Sequence, residues 1–187
     1  MIPYQKEKIE NAILFFAKEH RKKTRKHLLQ TFLYKYLAFL DFKSLEEIGQ
    51  PALGLTYRAM EYGPVPIEIY DKRFNYNTDS FKFIAEDKKI RIIPKDKSAV
   101  NFDYFSEFEI ELMKNLIEIY ASGYVDTNMI SDCSHKEIRA WNRAYQKQKN
   151  SIIDYSLSFK DDIYNKSPKN LTSQEESYTI YSTLARK

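Results

Sequence analysis

Apolar residues recur three and four positions apart in the first part of the chain, a spacing that places them on one face of a helix. A first set predicts a helix over residues 4–20, with positive side chains near its C-terminal end, where they suit the helix dipole. A longer stripe predicts a second helix over residues 28–40 in the centre of the core. The stripe consists of Leu28, Leu29, Phe32, Leu33, Tyr36, Leu37 and Leu40.

Polar and helix-breaking residues follow this second helix. Ser44 and Glu47 have the spacing of a capping box, in which side chains and backbone satisfy each other's hydrogen bonds at a helix start. They predict one short helical turn that ends at Gly49. The next segment, residues 53–62, favours neither helix nor strand.

Residues 62–66 read Tyr-Gly-Pro-Val-Pro. The two prolines fix φ, and the glycine relieves the steric limits beside them. We therefore expect a rigid corner at this point of the chain. Because the missing N–H of proline costs nothing in the first turn of a helix, Pro66 should lie there and open a short helix through Tyr70.

Apolar and polar residues alternate in two later segments, which is the period of a strand. Residues 81–94 contain two such runs with Asp87 and Lys88 between them, which predicts a small β-hairpin. Residues 153–159 alternate strictly and predict an extended edge strand.

Three capping boxes mark helix starts in the second half of the chain. The first, Ser106 with Glu109, predicts a helix that is apolar on most sides, lies near the centre of the fold and ends at Gly123. The second predicts a helix to about residue 148 after a short helical piece, and the third predicts a C-terminal helix over residues 172–186. These two boxes are Ser134 with Glu137, stapled by Cys133 and Ile138, and Thr172 with Glu175.

The pattern as a whole is that of a mainly α protein (α+β). The chain has 187 residues, 43% of them hydrophobic, which is enough for one domain with its own core. Four glycines and six prolines are too few chain breakers for a many-stranded β-sandwich. We expect residues 1–187 to form a single compact helical domain with a small β-hairpin and an extended edge segment. No apolar run approaches the roughly 18 residues that cross a bilayer, so a membrane is not an expected partner.

Positive charge is concentrated near the N-terminus. The net charge is +4, but residues 1–30 hold eight Lys or Arg against three Asp or Glu, a local +5 that leaves −1 for the rest. The basic residues between positions 21 and 26 form a cluster that could attract nucleic acid. A nucleic-acid-binding regulatory protein is therefore the alternative interpretation of the chain's function. Nucleic acid is not the expected partner, because the apolar helix over residues 28–40 cannot serve as a basic recognition helix. The cluster consists of Arg21, Lys22, Lys23, Arg25 and Lys26.

Residues suited to catalysis or metal binding are scarce. Cys133 and His135 are two positions apart, and side chains with this spacing do not face each other on a helix. The histidines lack metal-ligand spacing, and no glycine-rich phosphate loop occurs. We expect no enzymatic activity, no cofactor and no metal. The single cysteine, together with the lack of an apolar leader after Met1, predicts a cytoplasmic protein.

Several short motifs occur in a fixed order. They are residues 33–41, Gly49-Gln50-Pro51, Tyr62-Gly63-Pro64-Val65-Pro66, and Ser134-His135-Lys136-Glu137 leading to Trp141. As a set they resemble the Panacea domain of SocA-like antitoxins, sometimes labelled phage-associated GepA-like proteins, over about residues 8–160.

This resemblance implies a largely helical antitoxin domain with a small β element, which neutralises a toxin encoded by an adjacent gene. Neutralisation would come from direct protein–protein contact, or from delivery of the toxin to a cellular protease. The surplus of tyrosine also suits protein contacts, because tyrosine offers large contact area at low entropic cost. A purely structural turn at residues 62–64 is the alternative to a contact there. The candidate partner-binding residues are Lys35, Tyr62, Gly63, Pro64, Val65 and His135.

Overall fold

Helix α2 (Gln30–Ile48) forms the centre of the fold. In the computed structural model, which describes residues 2–160 and 162–185, every residue from 32 to 42 is buried. Most of these side chains are apolar, and burying each large one contributes on the order of 2 kcal/mol. Four other helices and strands of both β-sheets pack against α2. The prediction of a central core helix is confirmed, although the helix begins and ends later than residues 28–40.

The described chain is mainly α with a small β component, as the sequence predicts. Its helices are Gln5–Thr24 (α1), Gln30–Ile48 (α2), Ile67–Lys72 (α3), Glu107–Tyr120 (α4), Thr127–Glu137 (α5), Arg139–Lys147 (α6) and Ser173–Ala185 (α7). Its strands are Leu28–Leu29 (β1), Tyr57–Met60 (β2), Gly63–Pro66 (β3), Phe81–Glu86 (β4) and Lys89–Pro94 (β5). Short 3-10 helices cover Phe102–Tyr104, Tyr155–Ser158, Ile163–Asn165 and Pro168–Asn170. Measured against a bilayer, each helix within residues 2–160 and 162–185 is too short or too polar to span it.

The strands form two small antiparallel sheets. One has the order β1-β5-β4, and the other is the hairpin β2-β3. Strands β4 and β5 are joined by Asp87 and Lys88, whose φ angles of 49° and 61° are left-handed, as a two-residue hairpin turn of this type requires. The predicted hairpin over residues 81–94 is therefore confirmed. The pairing of Leu28 with Ile92 adds a third strand that the sequence did not indicate.

Two of the predicted capping boxes are confirmed. At the start of α4, the Ser106 hydroxyl accepts a hydrogen bond from the Glu109 N–H, and the Glu109 carboxylate accepts one from the Ser106 N–H. Thr172 and Glu175 make the same reciprocal pair of bonds at the start of α7. Arg186, the last residue of the predicted C-terminal helix, lies outside the described residues.

The ends and faces of two helices differ from expectation. Helix α1 continues to Thr24, and the left-handed Arg25 ends it by donating its N–H to the carbonyl of Arg21. Helix α4 ends at Tyr120, before Gly123. Ile119 is 59% exposed, so α4 buries one face instead of most of its circumference.

The other two predicted capping boxes are wrong. Ser44 lies inside α2, where its hydroxyl donates to the carbonyl of Gln50, and the helix continues until Gly49, whose φ of 78° ends it. Ser134 lies inside α5, where its hydroxyl donates to the carbonyl of Ser131. A serine can bond to the backbone within a helix as well as at its start, so the spacing alone did not locate a helix start.

Helix α5 contains the predicted short helical piece and continues through Ser134, where the sequence predicted a new helix start. The Asp126 carboxylate accepts the N–H groups of Asn128 and Met129 and so forms the N-cap. The backbone leaves the helical region at Ile138, and this residue separates α5 from α6. Cys133 therefore lies within a helix, and its predicted role as a staple residue before a helix start is wrong.

The predicted edge strand over residues 153–159 is also wrong. Residues 155–158 form a 3-10 helix, which the Asp154 side chain caps by accepting the Ser156 N–H. Arg143 on α6 donates to the carbonyl oxygens of Leu157 and Phe159, and so provides partners that a neighbouring strand would otherwise supply. A short β-like contact occurs just before this segment, where Ile152 bridges Arg58 on β2.

Residues 62–66 form part of a hairpin instead of a corner. Gly63 pairs with Met60, so the chain turns at Glu61 and Tyr62, and the prolines lie within strand β3. Proline is tolerated here because a two-stranded sheet leaves backbone positions that need no N–H partner. Pro66 ends β3 and precedes α3, and it does not lie within the first turn of that helix.

Candidate functional site

Lys35 is the buried cation at the middle of the candidate site. It lies on α2, it is 2% exposed, and its Nζ donates a long hydrogen bond of 3.4 Å to the carbonyl oxygen of Pro64. Within the described chain it forms no ion pair. Loss of hydration without a counter-ion disfavours the charged form, so burial lowers the pKa of Lys35 to about 7.

Gly63 allows strand β3 to approach this lysine closely. Its φ is +103°, and a Cβ placed on it would lie 2.5 Å from Lys35 Nζ and 2.5 Å from Ser134 Oγ. Both contacts are closer than real Cβ atoms allow. The glycine therefore brings α2, α5 and the β2-β3 hairpin together around the Lys35 ammonium.

A stack of three rings contacts the hairpin through Met60. His135 on α5 lies parallel to Trp141 on α6 with a centroid separation of 4.0 Å, and Trp141 stacks on Tyr145 at 4.9 Å. The Trp141 indole N–H donates to the carbonyl of Met60 over 3.0 Å. Trp141 is 5% exposed and lies in the core. The stack thus fixes the last residue of β2, directly before the turn.

A pocket of about 420 Å³ opens between α2, the β2-β3 hairpin and the end of α6. We call it the Lys35 pocket. Tyr34 and Gln30 belong to its lining, and the Tyr34 hydroxyl and Gln30 Oε1 are buried without a hydrogen-bond partner among the described residues. The lining also includes Lys35 and the tyrosines Tyr62, Tyr70 and Tyr145.

His135 adds little positive charge beside Lys35 at neutral pH. Burial, and then the positive charge of Lys35, lower the pKa of His135, against the opposing effects of Asp132 and the Glu61 backbone. A neutral His135 ring also stacks on Trp141 without burying a charge that would need hydration. The electrostatics of the site therefore centre on Lys35.

The structure brings the six predicted partner-binding residues into one region. Gly63 and Pro64 cover Lys35, Tyr62 and Val65 line the pocket, and His135 lies close enough to Lys35 for its pKa to respond. Tyr62 is 67% exposed. Contact of these residues with a partner stays a prediction.

Three tyrosines of the pocket were missed in the sequence. Tyr34 precedes Lys35 and could have been found, because it lies within the same motif of the chain. Tyr70 and Tyr145 belong to α3 and α6 and reach the pocket through tertiary packing. No short-range spacing connects these two residues to Lys35.

Asp41 forms a second buried polar centre on α2, and its role is structural. It is 0% exposed, and its carboxylate accepts the N–H groups of residues 53–55 and the hydroxyls of Tyr57 and Tyr155. Burial raises the pKa of Asp41 to about 6, although these hydrogen bonds favour the carboxylate. The group joins α2 to the loop before β2, and its hydrogen-bonding capacity is used inside the protein.

The basic cluster lies apart from the Lys35 pocket, at the C-terminal end of α1 and just beyond it. Lys23 forms an ion pair with Glu118 on α4, and Lys22 pairs with Glu19 at 3.4 Å. Arg21, Lys22 and Arg25 line a cleft of about 410 Å³ that shares no residue with the Lys35 pocket. The helix that follows the cluster, α2, is buried and cannot enter a DNA groove.

These features define a small α-helical domain in which a β-hairpin closes over a buried lysine on the central helix. The sequence model of the family described as "Antitoxin SocA-like, Panacea domain" matches residues 33–142, and the chain belongs to this family. The matched range contains Lys35, the β2-β3 hairpin, His135 and Trp141. No curated protein matches the chain, and no solved structure matches it.

Proposed function

We propose that this chain is a cytoplasmic antitoxin that neutralises the toxin of an adjacent gene by direct protein–protein binding. The observation that carries the proposal is membership of the SocA-like antitoxin family over residues 33–142. An antitoxin of this kind needs a contact surface and no catalytic residues, so we propose that the chain is not an enzyme.

The surface around the β2-β3 turn suits such a contact. Tyr62 lies in the turn and is 67% exposed, while Trp141, which stacks with His135 and Tyr145, bonds to Met60 directly before the turn. Exposed aromatic side chains on a rigid support lose little conformational entropy on binding, and they contribute strongly to protein interfaces. We therefore place the toxin contact at the turn and the mouth of the Lys35 pocket.

Co-expression with the adjacent gene tests the proposal. We expect the wild-type chain to relieve growth arrest caused by that gene product and to form a complex that survives purification. The change Tyr62→Ala should weaken the complex by about tenfold, because a well-packed interface tyrosine contributes about 1–2 kcal/mol. Tyr124→Ala is the matched control, since Tyr124 is 92% exposed and does not line the pocket.

The outcomes separate the two modes of neutralisation. Growth that stays arrested, with no recoverable complex, would refute the antitoxin proposal for this gene pair. If protection requires a host protease and the toxin disappears from the cell, the chain acts by delivering the toxin to that protease. Protection in a protease-deficient host, with toxin levels unchanged, supports direct neutralisation.

A further inference from the structure

The charge on Lys35 is not balanced inside the described chain. Other buried charges have partners: Lys8 pairs with Glu109 at 2.7 Å, and the Asp41 carboxylate accepts several N–H and O–H groups. Lys35 is more deeply buried than Lys8 and has the single 3.4 Å bond to Pro64. An ammonium has three donors, so its hydrogen-bonding capacity is largely unused.

Tyr34, another residue of the pocket lining, holds a second buried donor that is not used inside the described chain. Tyr34 is 3% exposed, and its hydroxyl has no hydrogen-bond partner in the part of the chain that the structure describes. Both residues lie on α2 and line the pocket. Buried donors without acceptors destabilise the free protein, and a ligand that supplies acceptors gains this free energy on binding.

The lining favours a singly charged acceptor between aromatic walls. Lys35 supplies one buried positive charge, and the two exposed charges of the lining, Lys149 and Glu61, are opposite in sign. No arginine belongs to the lining, and a phosphate dianion is usually bound by arginines or several backbone N–H groups. A carboxylate matches a single ammonium in charge, and its two oxygens can accept the unused ammonium N–H groups.

The position of the pocket favours a protein as its occupant, because the pocket is continuous with the exposed hairpin turn. Tyr62 both projects from the turn and lines the pocket, so a chain lying across the turn could place one side chain inside. We infer that the Lys35 pocket binds a carboxylate of the protein partner, with Lys35 Nζ donating to its oxygens. This inference rests on the proposed function for the identity of the partner.

The first test measures affinity for the purified product of the adjacent gene. Lys35→Met keeps the length and apolar stem of the side chain and removes the charge. We expect the dissociation constant to rise at least tenfold while the melting temperature stays the same or increases, because a costly buried charge is lost. Lys22→Met is the control, since the Lys22 side chain is 75% exposed and lies outside the pocket, and it should leave affinity unchanged.

A zero-length carbodiimide cross-link identifies the carboxylate. The reagent activates a carboxyl group and leaves as its urea while the Lys35 amine forms an amide with the acyl carbon. Mass spectrometry of the cross-linked complex should join Lys35 to an Asp or Glu of the partner. A cross-link to the partner's C-terminal residue would assign the carboxylate to the chain end and still support the inference.

A peptide arm separates failure of this inference from failure of the proposed function. The probes are acetyl-Tyr-Glu-Tyr-amide, acetyl-Tyr-Gln-Tyr-amide and acetyl-Tyr-Gln-Tyr with a free C-terminus, titrated by NMR against wild type and Lys35→Met. Preference of at least tenfold for a carboxylate-bearing peptide, lost in the variant, supports the pocket chemistry even if the adjacent gene product does not bind. Wild-type affinity of Lys35→Met for the partner, or equal binding of all three peptides, would overturn the inference and leave the antitoxin proposal standing.

Discussion

Two lysines of this protein show how burial and pairing together set the energy of a charged residue. Lys8 is 8% exposed and pairs with Glu109 on another helix, so its charge is compensated inside the protein. Lys35 is 2% exposed and bonds only weakly to a carbonyl oxygen. The first arrangement joins α1 to α4 through a compensated charge, whereas the second leaves a buried charge uncompensated and costs stability. Such a cost is typical of groups whose partner arrives with a ligand.

The depressed pKa of Lys35 predicts a pH dependence of stability. The folded-state pKa is about 7, and the value in the unfolded chain is 10.5. Between these values the unfolded state binds more protons than the folded state, so this residue makes the free energy of unfolding rise with pH, by up to about 1.4 kcal/mol per pH unit. Below about pH 7 the lysine is protonated in both states and its contribution is flat.

Urea denaturation of wild type and Lys35→Met across about pH 6 to 10 measures this contribution. The half-buried His135 beside Lys35 is present in both proteins, so most of its contribution cancels in the difference. We expect the free energies of unfolding of wild type and Lys35→Met to become more similar as pH rises, because Lys35 of the wild type loses its buried charge. Parallel curves over the whole range would show that Lys35 keeps its ordinary pKa.

At the scale of elements, the β2-β3 hairpin depends on Gly63. The change Gly63→Ala introduces a side chain at φ +103° and places its Cβ against Lys35 Nζ and Ser134 Oγ. Strain of this kind costs about 1–3 kcal/mol, and the crowded helix α5 should add to it. We expect a clear fall in melting temperature, and a larger fall for Gly63→Val.

Gly123 supplies the matched control, because a Cβ there meets no atom within 4 Å. Gly123→Ala should change the free energy of unfolding by a few tenths of a kcal/mol at most. If Gly63→Ala melts like Gly123→Ala, the hairpin can move away from Lys35. The close approach seen in the structure would then not be required for folding.

The capping boxes show how far local sequence spacing can predict where helices start. Ser106 and Thr172 cap helices, whereas Ser44 and Ser134, with a glutamate at the same spacing, lie inside helices. The spacing is local, and whether a helix is already in progress depends on residues further upstream. The spacing of apolar residues and the turn residues were enough to predict α1, α2 and the hairpin over residues 81–94.

The Lys35 pocket shows a similar limit to what the sequence alone can predict. Motif resemblance indicates Lys35, residues 62–65 and His135, and the fold places them together. Tyr70 and Tyr145 were not selected, because their positions depend on how α3 and α6 pack. The alternation over residues 153–159 was misread because Arg143 supports a 3-10 helix there from across the fold.

At the scale of the whole molecule, the two positive regions differ in what they can recognise. The Lys35 pocket offers a buried cation with aromatic walls, whereas the basic cluster of residues 21–26 is a solvated surface at the end of α1. The exposed charges of the cluster attract anions through the solvent, and salt at about 0.1 M screens this attraction over about 10 Å. The cluster can therefore add a general attraction to anionic surfaces without selecting a sequence.

The last prediction concerns that cluster and DNA. Lys22 and Lys23 already pair with Glu19 and Glu118, and the buried helix that follows supplies no base-reading side chains. We expect weak binding that is equal for the chain's own promoter and a scrambled duplex, falls steeply with salt, and is lost when Lys22, Lys23 and Lys26 are all changed to Ala. Fluorescence anisotropy across a salt series measures all three properties. A preference of about a hundredfold for the promoter, equal to about 2.7 kcal/mol, would require base readout, because counter-ion release is the same for both duplexes, and it would favour the nucleic-acid-binding alternative.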